Sequence, residues 1–441
     1  MGFGHSHGHS HGHEGEYQAS PKVRRALLIA VVPFVVATLV GLIVLWPGEP
    51  PQRIGGDIGD PERTEATVVA VERTDCAEIP GQESARCAEV TARLDQGNDE
   101  GREVSFETAE TSQARQIAEG DEIYVGRSFN DPNENRYFFL DYQRNLPLLA
   151  LGILFAVVVV ALSGLRGIAA LLGLAVSLVI LLEFVLPAIL EGQSPIAVAA
   201  VGSASIMFAA LYLAHGINVR TTTAILGTLV SLVLTCLLAA FFLDWVSFTG
   251  FGSEEAVFLQ VSASQVNIQG LVFAGVIIGT LGVLDDVTVT QASAVWEIHY
   301  ANPGYSARQL YRSALRIGRD HIASTVNTLV LAYAGASLPL LILFTLADLP
   351  LTQTLTSEVV AQEIVRTLVG SIGLVASVPI TTGLAALVVS RDEVRVSARR
   401  RKEAGDWLPG DATRPEAKRE GKDKSPSFKR PRAERMFRDD N

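Results

Sequence analysis

Apolar residues in this 441-residue chain fall in eight runs, each about 20 residues long, separated by shorter polar stretches. About 20 apolar residues in a helix cross the hydrocarbon core of a bilayer. A helix in a soluble core would be shorter and would keep one polar face. The runs cover residues 26–46, 146–164, 168–190, 195–214, 223–243, 270–290, 322–347 and 364–390. The pattern predicts a mainly α-helical polytopic membrane protein with about eight transmembrane helices.

The composition agrees with this interpretation, because 48% of the residues are hydrophobic and the mean hydropathy is +0.29. Both values are high for a soluble chain of this length. The first run has no small-x-small cleavage site before Trp46 and Pro47. We therefore expect a retained membrane anchor, with a cleaved signal peptide as the alternative.

Lysine and arginine positions predict the orientation, since positive residues near span ends stay on the cytoplasmic side. The connections 48–144, 191–194, 244–269 and 348–363 carry mostly acidic charge and alternate with the basic ones. The basic positions are Lys22, Arg24 and Arg25, then Arg166, Arg220, Arg308, Arg312, Arg316 and Arg319, and then Arg391, Arg395 and residues 399–402. Eight spans then place both termini in the cytoplasm. The net charge of -11 belongs mainly to the outer side.

The predicted organisation has five parts. They are a His-rich cytoplasmic tail (1–21), transmembrane helix 1 (22–47), an extracytoplasmic β-rich domain (48–144), a seven-helix membrane domain (145–390) and a basic cytoplasmic tail (391–441). The last tail is rich in charged residues, proline and serine, so we expect disorder. A basic tail tethered to a membrane indicates topology or contact with anionic lipid, and we expect no nucleic-acid partner.

The outer segment contains five short alternating stretches separated by turn residues. These are residues 66–72, 88–94, 102–107, 121–127 and 136–142. Five such strands predict a small β-barrel of the oligonucleotide/oligosaccharide-binding (OB) type. Ligand sensing or partner docking fits a tethered barrel better than catalysis does, and a rigid spacer or assembly surface is an equal alternative.

Two cysteines, Cys76 and Cys87, flank a turn-like segment in the outer domain. An oxidising compartment permits a bond between them, so we predict a disulfide. The third, Cys236, lies inside the fifth run and is interpreted as a small hydrophobic residue.

Histidines alternate with small residues at the start of the chain, at His5, His7, His9, His11 and His13. Imidazoles on such a flexible segment bind Zn²⁺ or Ni²⁺ without a fold. A solvated tail without a physiological metal role is the alternative. We expect no other cofactor.

The sixth run carries a face of small and acidic residues at helical spacing, which continues beyond residue 290. Its members are Gly275, Gly279, Gly282, Asp286, Thr290, Ser293 and Glu297. The glycines predict close approach of another helix. A carboxylate near a membrane boundary is costly, so Asp286 is a candidate functional residue.

Asp285 and Asp286 point about 100° apart on a helix, so only one of them can turn fully inward. We expect Asp286 to do so, because it continues the glycine face. Asp285, Thr288 and Gln291 then form the adjoining surface, where oxygen ligands suit a proton or a divalent cation. The alternative is that both acids only mark the cytoplasmic end of the sixth span.

Two further polar positions are candidates. Glu183 lies in the third run, where snorkelling to the headgroups competes with an inward role. Asn327 lies in the seventh run, beside Ser324, Thr325 and Thr328. In the eighth run, Ser377, Thr381 and Thr382 flank Pro379, which indicates either a polar cavity or a kink.

The stretch LGVLDDVTVTQASAVWE at residues 281–297 resembles the signature of the YibE/F family of multi-pass bacterial membrane proteins. The resemblance extends over about residues 26–395. It implies a multi-pass protein of the bacterial cell membrane, but it implies no established activity. No catalytic role is transferred by it.

Three classes of function follow from these features. A gradient-driven transporter or channel for a small solute or divalent cation is favoured by the polar spans, and no phosphate-binding loop for ATP is present. A non-transporting membrane scaffold or sensor is favoured by the outer domain. An intramembrane hydrolase is least favoured, because no second span carries an aspartate, and we expect no enzyme. The expected partners are the lipid bilayer and either a second copy of the chain or other membrane proteins.

Overall fold

A computed structural model describes residues 20–48, 62–75, 86–97, 99–110, 115–128, 136–347 and 349–405. The predicted metal tract, His5 to His13, and the predicted disulfide residue Cys76 lie outside the described residues.

Seven helices of the described chain are long and apolar enough to cross a membrane. They are α1 (Pro21–Val44), α2 (Asn145–Ser163), α3 (Leu165–Leu190), α4 (Pro195–His215), α5 (Val219–Trp245), α7 (Ile268–Ala301) and α11 (Glu358–Gly405). Short helices α6 (Glu254–Ser262) and α10 (Leu351–Thr356) lie in the connections. These apolar helices indicate a membrane protein.

The seventh predicted span is a bent pair rather than one helix. Helix α8 (Ala307–Ala336) is followed by α9 (Leu338–Leu346) after a bend of 60°. Pro339 follows the break, and its ring cannot continue the hydrogen-bond ladder of α8. The number of spans is therefore seven, or eight if this pair crosses as one unit.

Helix bounds differ from the predictions at two other positions. Helix α7 continues to Ala301, so Asp285 and Asp286 lie in its middle and not at its end. Helix α11 extends to Gly405 and includes the first residues of the predicted disordered tail. Helix α3 contains a π-helical turn at Leu181–Val185, and Glu183 lies in this turn.

All five predicted strands are present in the outer segment. They are β1 (Glu62–Asp75), β2 (Arg86–Leu94), β3 (Glu103–Glu110), β4 (Glu122–Ser128) and β5 (Arg136–Tyr142). The pairing is antiparallel in the order β3-β2-β1-β4-β5. The interior is filled by apolar side chains, including Val68, Val90, Phe106 and Ile123.

The two edge strands, β3 and β5, approach each other because the sheet curls. No ladder joins them in the described residues, so the sheet is a half-barrel. The predicted closed OB-type barrel stays unconfirmed.

The core of the helical part lies where α5, α7 and α11 meet. Leu232 of α5, Ile277 and Leu284 of α7, and Leu374 and Val378 of α11 are all buried in one cluster. Helix α2, by contrast, has no buried residue. The three central helices therefore form the core of the helical part.

Candidate functional site

The described residues leave most of the predicted face of α7 uncovered, apart from side chains that approach its first two glycines. Gly275 and Ser293 are half-buried, and the other five members are exposed: Gly279, Gly282, Asp286, Thr290 and Glu297. The prediction that Asp286 turns inward is therefore wrong. The physical reason is that α4, α5 and α11 pack against the opposite side of α7, where its apolar residues are concentrated.

Asp285, and not Asp286, is the carboxyl group held inside the protein. Its Oδ1 atom is inaccessible to solvent and has no hydrogen-bond partner among the described residues. Leu281 and Val289 lie one turn before and one turn after Asp285, on the same side of α7. Both pack with Met207 of α4 and Ile225 of α5. This flanking pair places Asp285 toward α4 and α5.

A buried polar contact joins α5 and α7 next to Asp285. The hydroxyls of Thr228 and Thr288 are 2.7 Å apart, and both residues are fully buried. Thr288 also lies within 3.2 Å of the backbone carbonyl of Asp285. The two threonines therefore fix the register of α5 and α7 at the level of this carboxyl group.

A second buried contact joins α7 and α11 one to two turns further along. Gln291 Oε1 accepts a hydrogen bond from the Thr382 hydroxyl at 3.0 Å. That hydroxyl has one proton and also lies 2.6 Å from the carbonyl of Val378. The amide Nε2 of Gln291 and the hydroxyl of Thr381 are buried without a partner in the described part of the chain. In either orientation of the amide, one of its polar atoms lacks a partner.

Glycines let the three central helices approach closely around these polar groups. A Cβ added to Gly227 of α5 would collide with the side chain of Thr381. A Cβ on Gly373 of α11 would collide with Thr235, and one on Gly318 of α8 would lie 2.9 Å from Gln291 Oε1. Small residues at these positions bring backbones together and leave the hydroxyls and the amide facing each other.

We call this set the polar seam: Thr228, Ser231 and Thr235 of α5, Asp285, Thr288 and Gln291 of α7, and Ser377, Thr381 and Thr382 of α11. The α5 hydroxyls donate to carbonyls of their own helix, as does the hydroxyl of Ser377. Their lone pairs are then free to accept. Oxygen atoms with free lone pairs, together with one carboxyl group, are suited to hold a proton or a hard cation.

A second polar group lies between α7, α8 and α11, near the beginning of α7. Arg366 of α11 forms an ion pair of 2.7 Å with Glu363, and both side chains are only about a quarter exposed, at 26% and 29%. This pair was not among the residues predicted from the sequence. The signal was available, because Arg366 interrupts the eighth apolar run and Glu363 precedes it by one helical turn.

The first two glycines of the predicted face make room for this second group. A Cβ on Gly275 would lie 3.4 Å from Arg366 Nη2, and one on Gly279 would lie 3.3 Å from Tyr333 Oη. Gly282 has nothing within 4 Å. The nearest atoms are polar ends of side chains, so the predicted close packing of a helix backbone on these glycines is not observed.

The other residues predicted from the sequence lie neither in the polar seam nor beside the Arg366–Glu363 pair. Glu183 and Asn327 are both exposed on the surface of the helical part. The described residues contain no group of three or more His, Cys, Asp or Glu able to hold a metal ion. Cys87 is disulfide-bonded and Cys236 is a free thiol. Since Cys76 lies outside the described residues, its pairing with Cys87 stays a prediction.

Comparison with known proteins identifies one family. Residues 151–391, which are more than half of the chain, match the YibE/F-like protein family. No curated protein and no solved structure matches the chain. The matched region includes the polar seam and the Arg366–Glu363 pair, and it confirms the resemblance seen at residues 281–297. The chain therefore belongs to the YibE/F-like protein family.

Proposed function

We propose that this protein is a gradient-driven transporter or channel of the bacterial cell membrane, with Asp285 as its ion-coupling carboxyl group. The substrate class is a small solute or a divalent cation. The observation that carries the proposal is the buried, unpartnered Oδ1 of Asp285 beside the polar seam. Ionisable groups inside a helical membrane bundle are costly, and they commonly mark ion or proton pathways.

The seam supports a pathway more than a purely structural role. The hydroxyls of Thr228 and Thr288 meet at the level of Asp285, and Thr381 and Gln291 keep unpaired polar atoms. Full satisfaction is normal for buried polar groups that serve only the fold. Groups left without partners are available to a proton, an ion or a water molecule.

Asp285 and Asp286 provide a matched test of the proposal. The protein is reconstituted in liposomes, and uptake is measured over a panel of metal ions and imposed proton gradients. Asp285→Asn is expected to abolish flux, because the amide keeps the shape and removes the titratable charge. Asp286→Asn removes the same charge from the exposed face and is expected to retain most of the flux.

A stability measurement on the same variants separates function from folding. Both variants are expected to have wild-type melting temperatures within a few degrees. Equal flux for Asp285→Asn and the wild type, or absence of flux for every ion and gradient of the panel, would contradict the proposal. Loss of flux in Asp286→Asn alone would assign the coupling role to the exposed carboxylate.

The alternative function is a membrane scaffold or sensor acting through the outer domain. One observation favours it: Phe138 and Leu140 of edge strand β5 are each 36% exposed. An edge strand with exposed apolar residues is a surface to which an extended segment can add. Under this function, Phe138→Ser with Leu140→Ser would remove the phenotype of the protein, while Asp285→Asn would not.

A further inference from the structure

A small cleft lies between α7, α8 and α11, separate from the polar seam. Its walls include Arg366, Tyr333, Thr280 and Thr367, and Gly279 and Gly370 leave the space open. The volume is about 10 Å³, which is enough for one water molecule or one ion of similar size. Arg366 follows the first residue of α11, Glu358, by eight positions, or about 12 Å along the helix.

The free hydrogen-bond donors of the cleft come from Arg366 and Tyr333. Arg366 uses Nη1 for the contact with Glu363, while its Nε is buried without a partner in the described residues. The hydroxyls of Thr280 and Thr367 donate to carbonyls of their own helices, each at 2.7 Å. Their protons are therefore not available to a ligand.

These donors suit an anion rather than a cation. A guanidinium group stays protonated under all physiological conditions and offers five N–H donors, of which Glu363 occupies only part. The Tyr333 hydroxyl adds one O–H donor on the other side of the space that Gly279 and Gly370 leave open. The carboxylate of Glu363, which would attract a cation, is already held by Arg366 at 2.7 Å.

We propose that this cleft binds a small monovalent anion of about halide size. Arg366 supplies the charge and two donors, and Tyr333 supplies a third donor. The glycines at 275, 279 and 370 keep the cleft open, since a Cβ at each would lie 3.2–3.4 Å from a polar atom of Arg366, Tyr333 or Thr280. The site does not depend on the transport function proposed above, because binding is measurable without flux.

Binding is tested on the full-length protein in detergent, in gluconate buffer at constant ionic strength, with chloride as the probe. The melting temperature is expected to rise with chloride along a saturable curve. Nitrate is somewhat larger and should bind more weakly, and sulfate should not bind because a tetrahedral ion with four oxygen atoms needs more room than a site for one water-sized ion provides. Isothermal titration gives the dissociation constant.

Four variants assign the effect to the cleft. Tyr333→Phe is expected to weaken chloride binding about tenfold, the effect of one hydrogen bond to a charged ligand. Glu363→Gln should tighten it about tenfold, because a competing carboxylate is removed. The neutral double variant Glu363→Gln with Arg366→Gln should abolish saturable binding without leaving an unpaired charge. Arg316→Gln, an exposed arginine of α8 outside the cleft, should change nothing.

Two results would overturn the proposal. One is the absence of any saturable response to chloride in the wild type, which would mean that the cleft holds only water. The other is a saturable response that persists in the double variant, which would place the anion elsewhere. A transport defect alone would not decide the matter, since the Asp285 variants are expected to bind chloride normally.

Discussion

Gln291 of α7 and Thr382 of α11, 91 residues apart in the chain, are joined by a side-chain hydrogen bond of 3.0 Å inside the helical core. Both side chains are completely buried. Such a contact between two long helices helps to determine which faces meet, because polar groups inside a membrane bundle need protein partners. The bond therefore aligns α7 and α11 at the polar seam.

The strength of this contact is open to measurement by a double-mutant cycle with Gln291→Leu and Thr382→Val. We expect a coupling free energy of about 0.5–1.5 kcal/mol, as for hydrogen bonds between membrane helices. The cycle uses the free energies of unfolding of the wild type, the two single variants and the double variant, measured in detergent micelles. Thr38→Val in α1 serves as the control, because the Thr38 hydroxyl donates only to Phe34 of its own helix. The changes in unfolding free energy caused by Thr38→Val and Gln291→Leu should therefore be additive. A coupling free energy equal to that of the control pair would show that Gln291 and Thr382 do not form a stabilising hydrogen bond.

The second prediction compares two glycines with different surroundings. Gly227→Ala inserts a methyl group against the side chain of Thr381, whereas Gly282→Ala points into open space. Overpacking a tight helix contact costs about 1–3 kcal/mol. We expect a melting temperature several degrees lower for Gly227→Ala and an unchanged or slightly higher one for Gly282→Ala, since alanine favours a helix. Equal melting temperatures would show that α5 and α11 do not approach closely at Gly227.

Much of the fold could be predicted from the sequence, because hydrophobic runs and alternating strands are local signals. The site could be predicted only in part. The spacing of Gly275, Gly279 and Asp286 correctly defined one helix face, but spacing alone does not say which face its neighbours cover. Asp285 looked secondary because it lies off the glycine face, and its burial depends on α4 and α5, which are distant in sequence.

The same limit explains the second polar group. Arg366 stands alone in an apolar run, and only the position of Tyr333 on α8 shows that both side chains border one cleft. The bend between α8 and α9 was not predicted either, because the apolar run around Ser337 and Pro339 is long enough for one span, although a proline is a local signal for a break. The cleft depends instead on tertiary contacts, which the periodicity of a single helix does not record.

The third prediction concerns Cys76 and Cys87. We expect a disulfide between them, since both lie in the segment predicted to be outside the cell membrane, where oxidation is permitted. Thiol alkylation before and after reduction, followed by mass spectrometry, should label both cysteines only after reduction. Cys236, a free thiol, serves as the internal control, because it should be labelled in the denatured protein without reductant. Labelling of all three before reduction would contradict the prediction.

The last prediction concerns the path of the chain through the membrane, where the bent pair α8 and α9 leaves two arrangements. If the pair crosses as one span, the chain has eight spans and both termini are cytoplasmic. Reporter fusions at Gly120 and Pro350 should then read outside, and fusions at Gly304 and Lys402 should read inside. The positive charge of Arg308, Arg312, Arg316 and Arg319 places the beginning of α8 in the cytoplasm in either arrangement.

A re-entrant loop formed by α8 and α9 together would give a different pattern at the same four positions. Pro350 would read inside, and Lys402 would move outside, because α11 would then cross in the opposite direction. Gly120 and Gly304 would be unchanged, so they serve as internal controls. The basic residues after Arg391 argue against this outcome, since the positive-inside rule would have to fail at the end of α11. The pair of readings at Pro350 and Lys402 thus decides between seven and eight spans.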